Sequence, residues 1–276
     1  MAALSVNTNY GAMVALQQLN STNMALSSTQ ERINTGLKVA SAKDNGAVYA
    51  IAQGMRADLK GFGVVLDSLD RVSSTTDVAL AAGAAISDLL IDMKEKALAA
   101  SDETLTASQR AAFSEDFKAL RDQISTIVGN AEFNGVNLIN GSTNEISAFA
   151  DANGSNSITV LDENLSLGGG IVTIGATASL DTATNASGMV STIETSINNL
   201  NQALARLGTA SKSLEVHTTF VTSLRDTLEA GVGNLVDADM ARESAKLQAL
   251  QTKQQLGVQA LSIANQAPQI ITQLFQ

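Results

Sequence analysis

The sequence contains no cysteine and no tryptophan, one proline and one histidine. Without cysteine there is no disulfide, no thiolate nucleophile and no cysteine metal site. Pro268 is the only residue that locks φ and removes a backbone donor, so nothing upstream of it forbids very long helices. Aromatic residues make up 3% of the chain, which leaves Leu, Ala, Ile and Val to do most of the packing. Basic residues are scarce as well: 17 against 27 acidic ones, for a formal net charge of −10. They are scattered without a block, which argues against a nucleic-acid partner. No run of about eighteen apolar residues is present, so no transmembrane helix is expected. The N-terminus lacks both the basic n-region and the apolar core of a secretory signal. If the protein leaves the cell, the expected route uses no cleaved signal.

What is present falls into three zones of the 276 residues. The pattern is helical to about Asn140, rich in Gly, Ser, Thr, Asn and Asp from Gly141 to about Ser187, and helical again from Gly188. The last zone has the clearest period: Ile193, Ile197, Leu200, Leu204, Leu207, Ser211, Leu214, Thr218, Val221, Leu224 and Leu228 step by four and three. That is an a/d seam, the mark of a coiled coil or long bundle, and it predicts an elongated molecule. In the first zone, Leu59, Phe62, Leu66, Leu69, Thr76, Leu80, Ile86 and Leu90 mark one long helix. A second is predicted from Thr106 to Val128, opened by the capping-box pair Thr106 and Gln109 and stopped at Gly129. In the middle zone, Ile158 with Val160, and Ile171 with Thr173, read as short strands. No Lys or Arg lies between Arg121 and Arg206, so this insertion reads as an acidic, exposed outer segment.

Charge is missing from both ends. Glu31 is the first charged side chain, and none follows Lys253. Each end nevertheless keeps heptad-like apolar positions, with Asn23, Gln30 and Gln254 as polar interruptions that can fix register. Two amphipathic, charge-free segments at opposite ends predict that they pair with each other. A two-helix hairpin buries only one stripe of each helix, so the remaining surface needs neighbours, and the ends are expected to become fully ordered when many copies pack together.

At this point the residues resemble a family. The run Arg32-Ile33-Asn34-Thr35-Gly36-Leu37-Lys38-Val39, followed by Ser41-Ala42-Lys43-Asp44, resembles a segment of bacterial flagellin. Glu132-Phe133-Asn134-Gly135-Val136-Asn137-Leu138-Ile139-Asn140-Gly141 is similar to another, and Ala260-Leu261-Ser262-Ile263-Ala264-Asn265-Gln266-Ala267-Pro268-Gln269 to the family's C-terminus. The resemblance implies a mainly α fold: an elongated hairpin of long helices with coiled-coil termini and a small β-containing insertion. It implies an inner coiled-coil layer from residues 1–38 and 236–276, a long-helix bundle from 39–140 and 188–235, and a small β/turn-rich outer segment from 141–187. The function implied is a structural subunit, not an enzyme, that polymerises into the extracellular flagellar filament after export, unfolded, by the flagellar type III apparatus. Its implied partners are further copies of itself, hook-associated and cap proteins and a cytoplasmic export chaperone, with no cofactor, nucleic acid or membrane. A hook–filament junction protein is the alternative. The expected self-assembly core is Leu16, Leu19, Leu26, Ile33 and Leu37 with Leu247, Leu250, Val258, Leu261 and Ile271. One departure from the family stands at Leu90-Ile91-Asp92-Met93-Lys94-Glu95, where Asp92 replaces a usual Arg; weak detection by the flagellin-sensing innate receptor is the implied result.

Few residues suggest chemistry of another kind. His217, beside the seam, has no nucleophile or acid partner signalled by the sequence, so a structural role is expected. Asp237 and Asp239 precede the C-terminal helix and read as helix entry rather than as metal ligands. Gly231 and Gly233 read as a hinge between layers. Gly168-Gly169-Gly170 lacks the following helix and Lys of a phosphate loop.

Overall fold

A computed structural model describes residues 8–143 and 145–274, with side chains to residue 266. It is mainly α. The order is α1 (Tyr10–Thr35), α2 (Gly46–Ala100), α3 (Ala107–Asn130), β1 (Glu145–Phe149), β2 (Ser157–Leu161), α4 (Ala183–Val236) and α5 (Met240–Leu274). The chain divides into two compact units, Met1–Ala57 with Thr227–Gln276, and Asp58–Asp226.

In the first unit, α1 and α5 form an antiparallel pair. Asn9 caps α1, its Oδ1 accepting from the Ala12 N–H at 3.0 Å. The Asn9 Nδ2 donates to the Ala264 carbonyl at 2.6 Å, tying the start of α1 to the later part of α5. Gly36, left-handed at φ 72°, closes α1. The chain is then stitched to the α4–α5 junction: Lys38 N–H donates to the Val236 carbonyl at 2.7 Å, and Ala238 N–H to the Gly36 carbonyl at 2.8 Å. Asp239 opens α5 as expected, its Oδ1 accepting from the Arg242 N–H at 3.1 Å. The expected hinge is corrected: α4 runs unbroken through Gly231 and Gly233 to Val236, and the chain turns at Asp237–Asp239.

The second unit has its own core. The α4 seam is buried as its period requires, with Ile193, Leu200, Leu207, Leu214 and Val221 all nearly inaccessible. Leu69, Ile86, Leu90 and Met93 of α2 and Phe117 and Ile124 of α3 share that core. By length and composition α2 is apolar enough to cross a membrane, with an 18-residue window of mean hydropathy 1.3. Ala raises that mean without making a continuous run of large apolar residues, and the large apolar side chains of α2, Leu69, Ile86, Leu90 and Met93, belong to the core of this unit. Helix α3 carries the expected capping box at Thr106 and Gln109. It ends at Asn130 rather than Gly129, and Asn137 supplies the stop, its Nδ2 donating to the Val128 carbonyl at 2.7 Å while its Oδ1 accepts from the Ile139 N–H. The preceding turn is a two-residue one, with Phe133 and Val136 exchanging both backbone hydrogen bonds around Asn134 and Gly135, both at positive φ.

Strands β1 and β2 pair antiparallel, Ile146 opposite Val160 and Ala148 opposite Ile158. Ala148 and Val160 point into the core. The strand expected at Ile171 and Thr173 does not form. Thr173 N–H donates instead to Ser196 Oγ on α4 at 3.0 Å, which seats Val172 and Ile174 in the core without a partner strand. Helix α4 starts earlier than Gly188 because Thr182 caps it, accepting from the Asn185 N–H at 3.1 Å.

Candidate self-assembly surface

The face that α1 turns to α5 is a narrow apolar stripe with small side chains set into it. Thr22 and Thr29 are buried, and Ala15, Leu19, Leu26 and Ile33 are half-buried beside them. From α5 come Glu243 and Leu250, buried, with Leu247, Gln254, Gly257 and Leu261 half-buried. A Cβ on Gly257 would stand 3.2 Å from Leu19 Cδ1, so the helices approach closely there because that side chain is absent.

This close approach decides which expected residues face inward. Leu19, Leu26, Ile33, Leu247, Leu250 and Leu261 lie on or beside the pairing face. Leu37 lies beyond α1, bridged to Asp237. Leu16 and Val258 point away, at 48% and 54% exposure. The small Ala15 and the bare Gly257 take the seam instead. The side chain of Ile271 lies outside the described residues. The polar interruptions shift by one position: Thr22 and Thr29 occupy the seam, while Asn23 and Gln30 are exposed. Asn23 Oδ1 accepts from Gln254 Nε2 at 2.8 Å across the edge of the pair.

The outer face is apolar too. Tyr10 is 80% exposed, Met24 and Ile263 each 69%, and Met13 and Leu256 join them. Sequence periodicity overlooked these five because they fall off the a/d steps. Their signal was apolar side chains within a charge-free stretch, outside the seam.

Charge gathers at the closed end. Arg32 Nη1 stands 3.3 Å from Glu243 Oε1. The loop before α2 folds around Asp44, whose Oδ2 accepts from the Ala40 N–H, the Ser41 N–H and the Ser41 hydroxyl. The Ser41 backbone bond, then its hydroxyl, holds that carboxyl below the usual aspartate value. Asn45 accepts from the Val48 N–H and caps α2. In the second unit, His217 Nε2 sits 2.8 Å from the Ala150 carbonyl with its ring against Phe220, a structural arrangement.

With this geometry in place, the chain can be set beside known proteins. Residues 6–144 match the bacterial flagellin N-terminal helical region, and residues 190–275 the C-terminal helical region. The chain belongs to the bacterial flagellin family. It is 54% identical to Flagellin FljM of Caulobacter vibrioides over 276 residues, covering all of both chains. It is 36% identical to a flagellin of Brucella melitensis, covering 99% of each. Among solved structures, a putative flagellar hook-associated protein from Vibrio parahaemolyticus matches with a TM-score of 0.59 at 12% identity, over 70% of this chain and all of that one. At that identity the likeness concerns the fold alone. This flagellin is therefore a structural protein and not an enzyme, a self-polymerising subunit of the extracellular flagellar filament that serves motility.

Proposed function

We propose that the α1–α5 pair is the contact through which copies of this flagellin join into the filament. The observation that carries the reading is the outer apolar face of a charge-free helix pair, with Tyr10, Met13, Leu16, Met24, Leu256, Val258 and Ile263 open to solvent. Apolar area of that kind gains about 25 cal/mol per Å² when it is covered, and a polymer repeats the gain at every subunit. Residues 1–38 and 236–276 then form the inner layer, 39–140 and 188–235 the long-helix layer, and 141–187 the outer segment. Leu16, Leu19, Leu26, Ile33, Leu37, Leu247, Leu250, Val258, Leu261 and Ile271 supply the assembly core, some within one hairpin and some between neighbours. Order in the hairpin is completed by assembly, since an isolated helix pair is marginal in water.

Export unfolded through the flagellar type III apparatus, without a cleaved signal, belongs to the same reading. So do transient contacts with an export chaperone, hook-associated proteins and a cap. Uncharged Ser, Asn, Thr and Gln lining a channel offer no fixed charge for a passing chain to pair with. A hook–filament junction protein is the second reading, favoured only by the fold shared with the hook-associated protein.

Sedimentation and negative-stain electron microscopy of purified protein test the proposal. The wild type forms long filaments, while Leu16→Lys and Val258→Lys, placed where the isolated chain tolerates charge, block them without loss of helicity. Filaments of normal length from both variants would move the contact elsewhere. Purified protein that forms no filament, from a cell carrying few copies, would favour the junction.

A further inference from the structure

Net charge divides unevenly between the two units. Residues 58–226 hold 10 basic and 21 acidic side chains, while the rest of the chain holds 7 and 6. Between Arg71 and Lys94, α2 has no basic residue, and its acids are Asp77, Asp88 and Asp92. Asp77 and Asp88 stand eleven residues apart, three helical turns, with Ala81 and Ala84 between them on the same exposed stripe. Neither carboxylate has an ion pair or side-chain hydrogen bond among the described residues.

Helix α5 carries the opposite pattern in the same frame. Arg242, Lys246, Ala249 and Lys253 follow one another by four, three and four residues, as Asp77, Ala81, Ala84 and Asp88 do. All eight are exposed. Of the acids around it, Asp239 caps α5 and Glu243 is buried against Arg32, while Asp237 lines the same surface cavity as Arg242 and Lys246 without an ion pair to either among the described residues. Lys246 has only a distant partner, Glu243 at 3.9 Å. The guanidinium of Arg242 and the ammonium of Lys253 have none among the described residues. Both ladders thus leave their charges outward, about 16 Å from first to last at ~1.5 Å per residue, and the alanines between them leave room for a second helix.

We infer that the Arg242–Lys253 stripe of one copy docks on the Asp77–Asp88 stripe of another, a heterologous contact that sets register between neighbours. The inference rests on self-assembly of this chain and names a contact separate from the apolar one. A second copy is the occupant because this chain polymerises and carries both halves of the match. Exposed ion pairs are individually weak and screened by salt, so their part is to choose the register rather than to supply the bulk of the energy.

Charge reversal separates this contact from any arrangement within one chain. Arg242→Glu with Lys253→Glu makes both stripes acidic; Asp77→Lys with Asp88→Lys makes both basic. Each variant alone raises the critical concentration for polymerisation about tenfold. An equimolar mixture returns it to within about twofold of wild type, since each variant's altered stripe now fits the other's altered stripe, and each intact stripe the other's intact one. Either variant polymerising alone like wild type overturns the inference, and so does a mixture no better than its components. Wild-type protein that yields no filaments overturns both this contact and the assembly it rests on.

Discussion

Glu163 and Arg206 meet through two parallel hydrogen bonds, Nε to Oε1 and Nη2 to Oε2, each 2.6 Å. The partners are unequal in setting: the carboxylate is 8% exposed and the guanidinium 53%. The bond to Glu163 raises the Arg206 pKa above its ordinary value. Arg206→Met leaves a buried carboxylate without its partner and should cost about 1–3 kcal/mol. Glu163→Leu with Arg206→Met removes both charges and should cost less than the single change. Urea midpoints followed by circular dichroism check the order; a double variant weaker than Arg206→Met would place the stabilisation in the pair itself.

Gly83 lies where α2 meets α4. A Cβ there would stand 2.5 Å from Leu204 Cδ2 and 3.7 Å from Leu165 Cδ1. The nearest atom is the end of a side chain that can turn, and Ala gains about 1 kcal/mol over Gly in a helix. Gly83→Ala should therefore stay within about 1 kcal/mol of wild type. Gly83→Leu has nowhere to put its branches and should cost over about 2 kcal/mol. Thermal unfolding of the two variants tests the contrast.

The long helices were legible because burial repeats at the helical period. Ile193 to Val221 alternates between buried and half-buried down the whole seam, and the Thr106–Gln109 box marks a helix start by side-chain chemistry alone. What escaped depends on partners distant in sequence. Val172 and Ile174 alternate like a strand, but Ser196 takes the backbone donor. β1 went unread because Glu145, Ser147 and Phe149 obscure its two inward residues, Ile146 and Ala148. On the face where α1 meets α5, Leu19, Leu26, Ile33, Leu247, Leu250 and Leu261 fall where the periodicity put them, whereas Leu16 and Val258 do not. Apolar content points to Leu16 and Val258, whereas close approach prefers Ala15 and Gly257. At those two positions size, not hydrophobicity, chose the seam.

Asp162 follows β2 with one carboxylate oxygen, Oδ1, buried and without a hydrogen-bond partner. Burial raises its pKa, partly opposed by the Gly141 N–H and reinforced by the neighbouring Glu163 charge. A raised folded-state value means that the ionised group opposes folding at neutral pH. That opposition is relieved as pH falls through the folded-state pKa. Asp162→Asn should therefore raise Tm at pH 7 by about 1–3 °C, keep the bond from Gly141, and lose its advantage in acid. An equal gain at pH 7 and at acid pH would show that charge is not the cause.

Thr29 is fully buried on α1, facing α5, and its hydroxyl has no hydrogen-bond partner. Thr22, one heptad earlier, solves the same problem by donating to the Gln18 carbonyl at 2.9 Å. A buried hydroxyl left unpaired costs roughly 1–3 kcal/mol, whereas a methyl of the same size costs nothing to desolvate. Thr29→Val should therefore strengthen the α1–α5 pair by about 1 kcal/mol, and Thr22→Val, which gives up a bond, should not. In filaments the gain is repeated in every subunit, so the depolymerisation temperature should rise for Thr29→Val and stay level or fall for Thr22→Val. The same rise from both would mean that β-branched apolar bulk, rather than the unpaired hydroxyl, limits the seam.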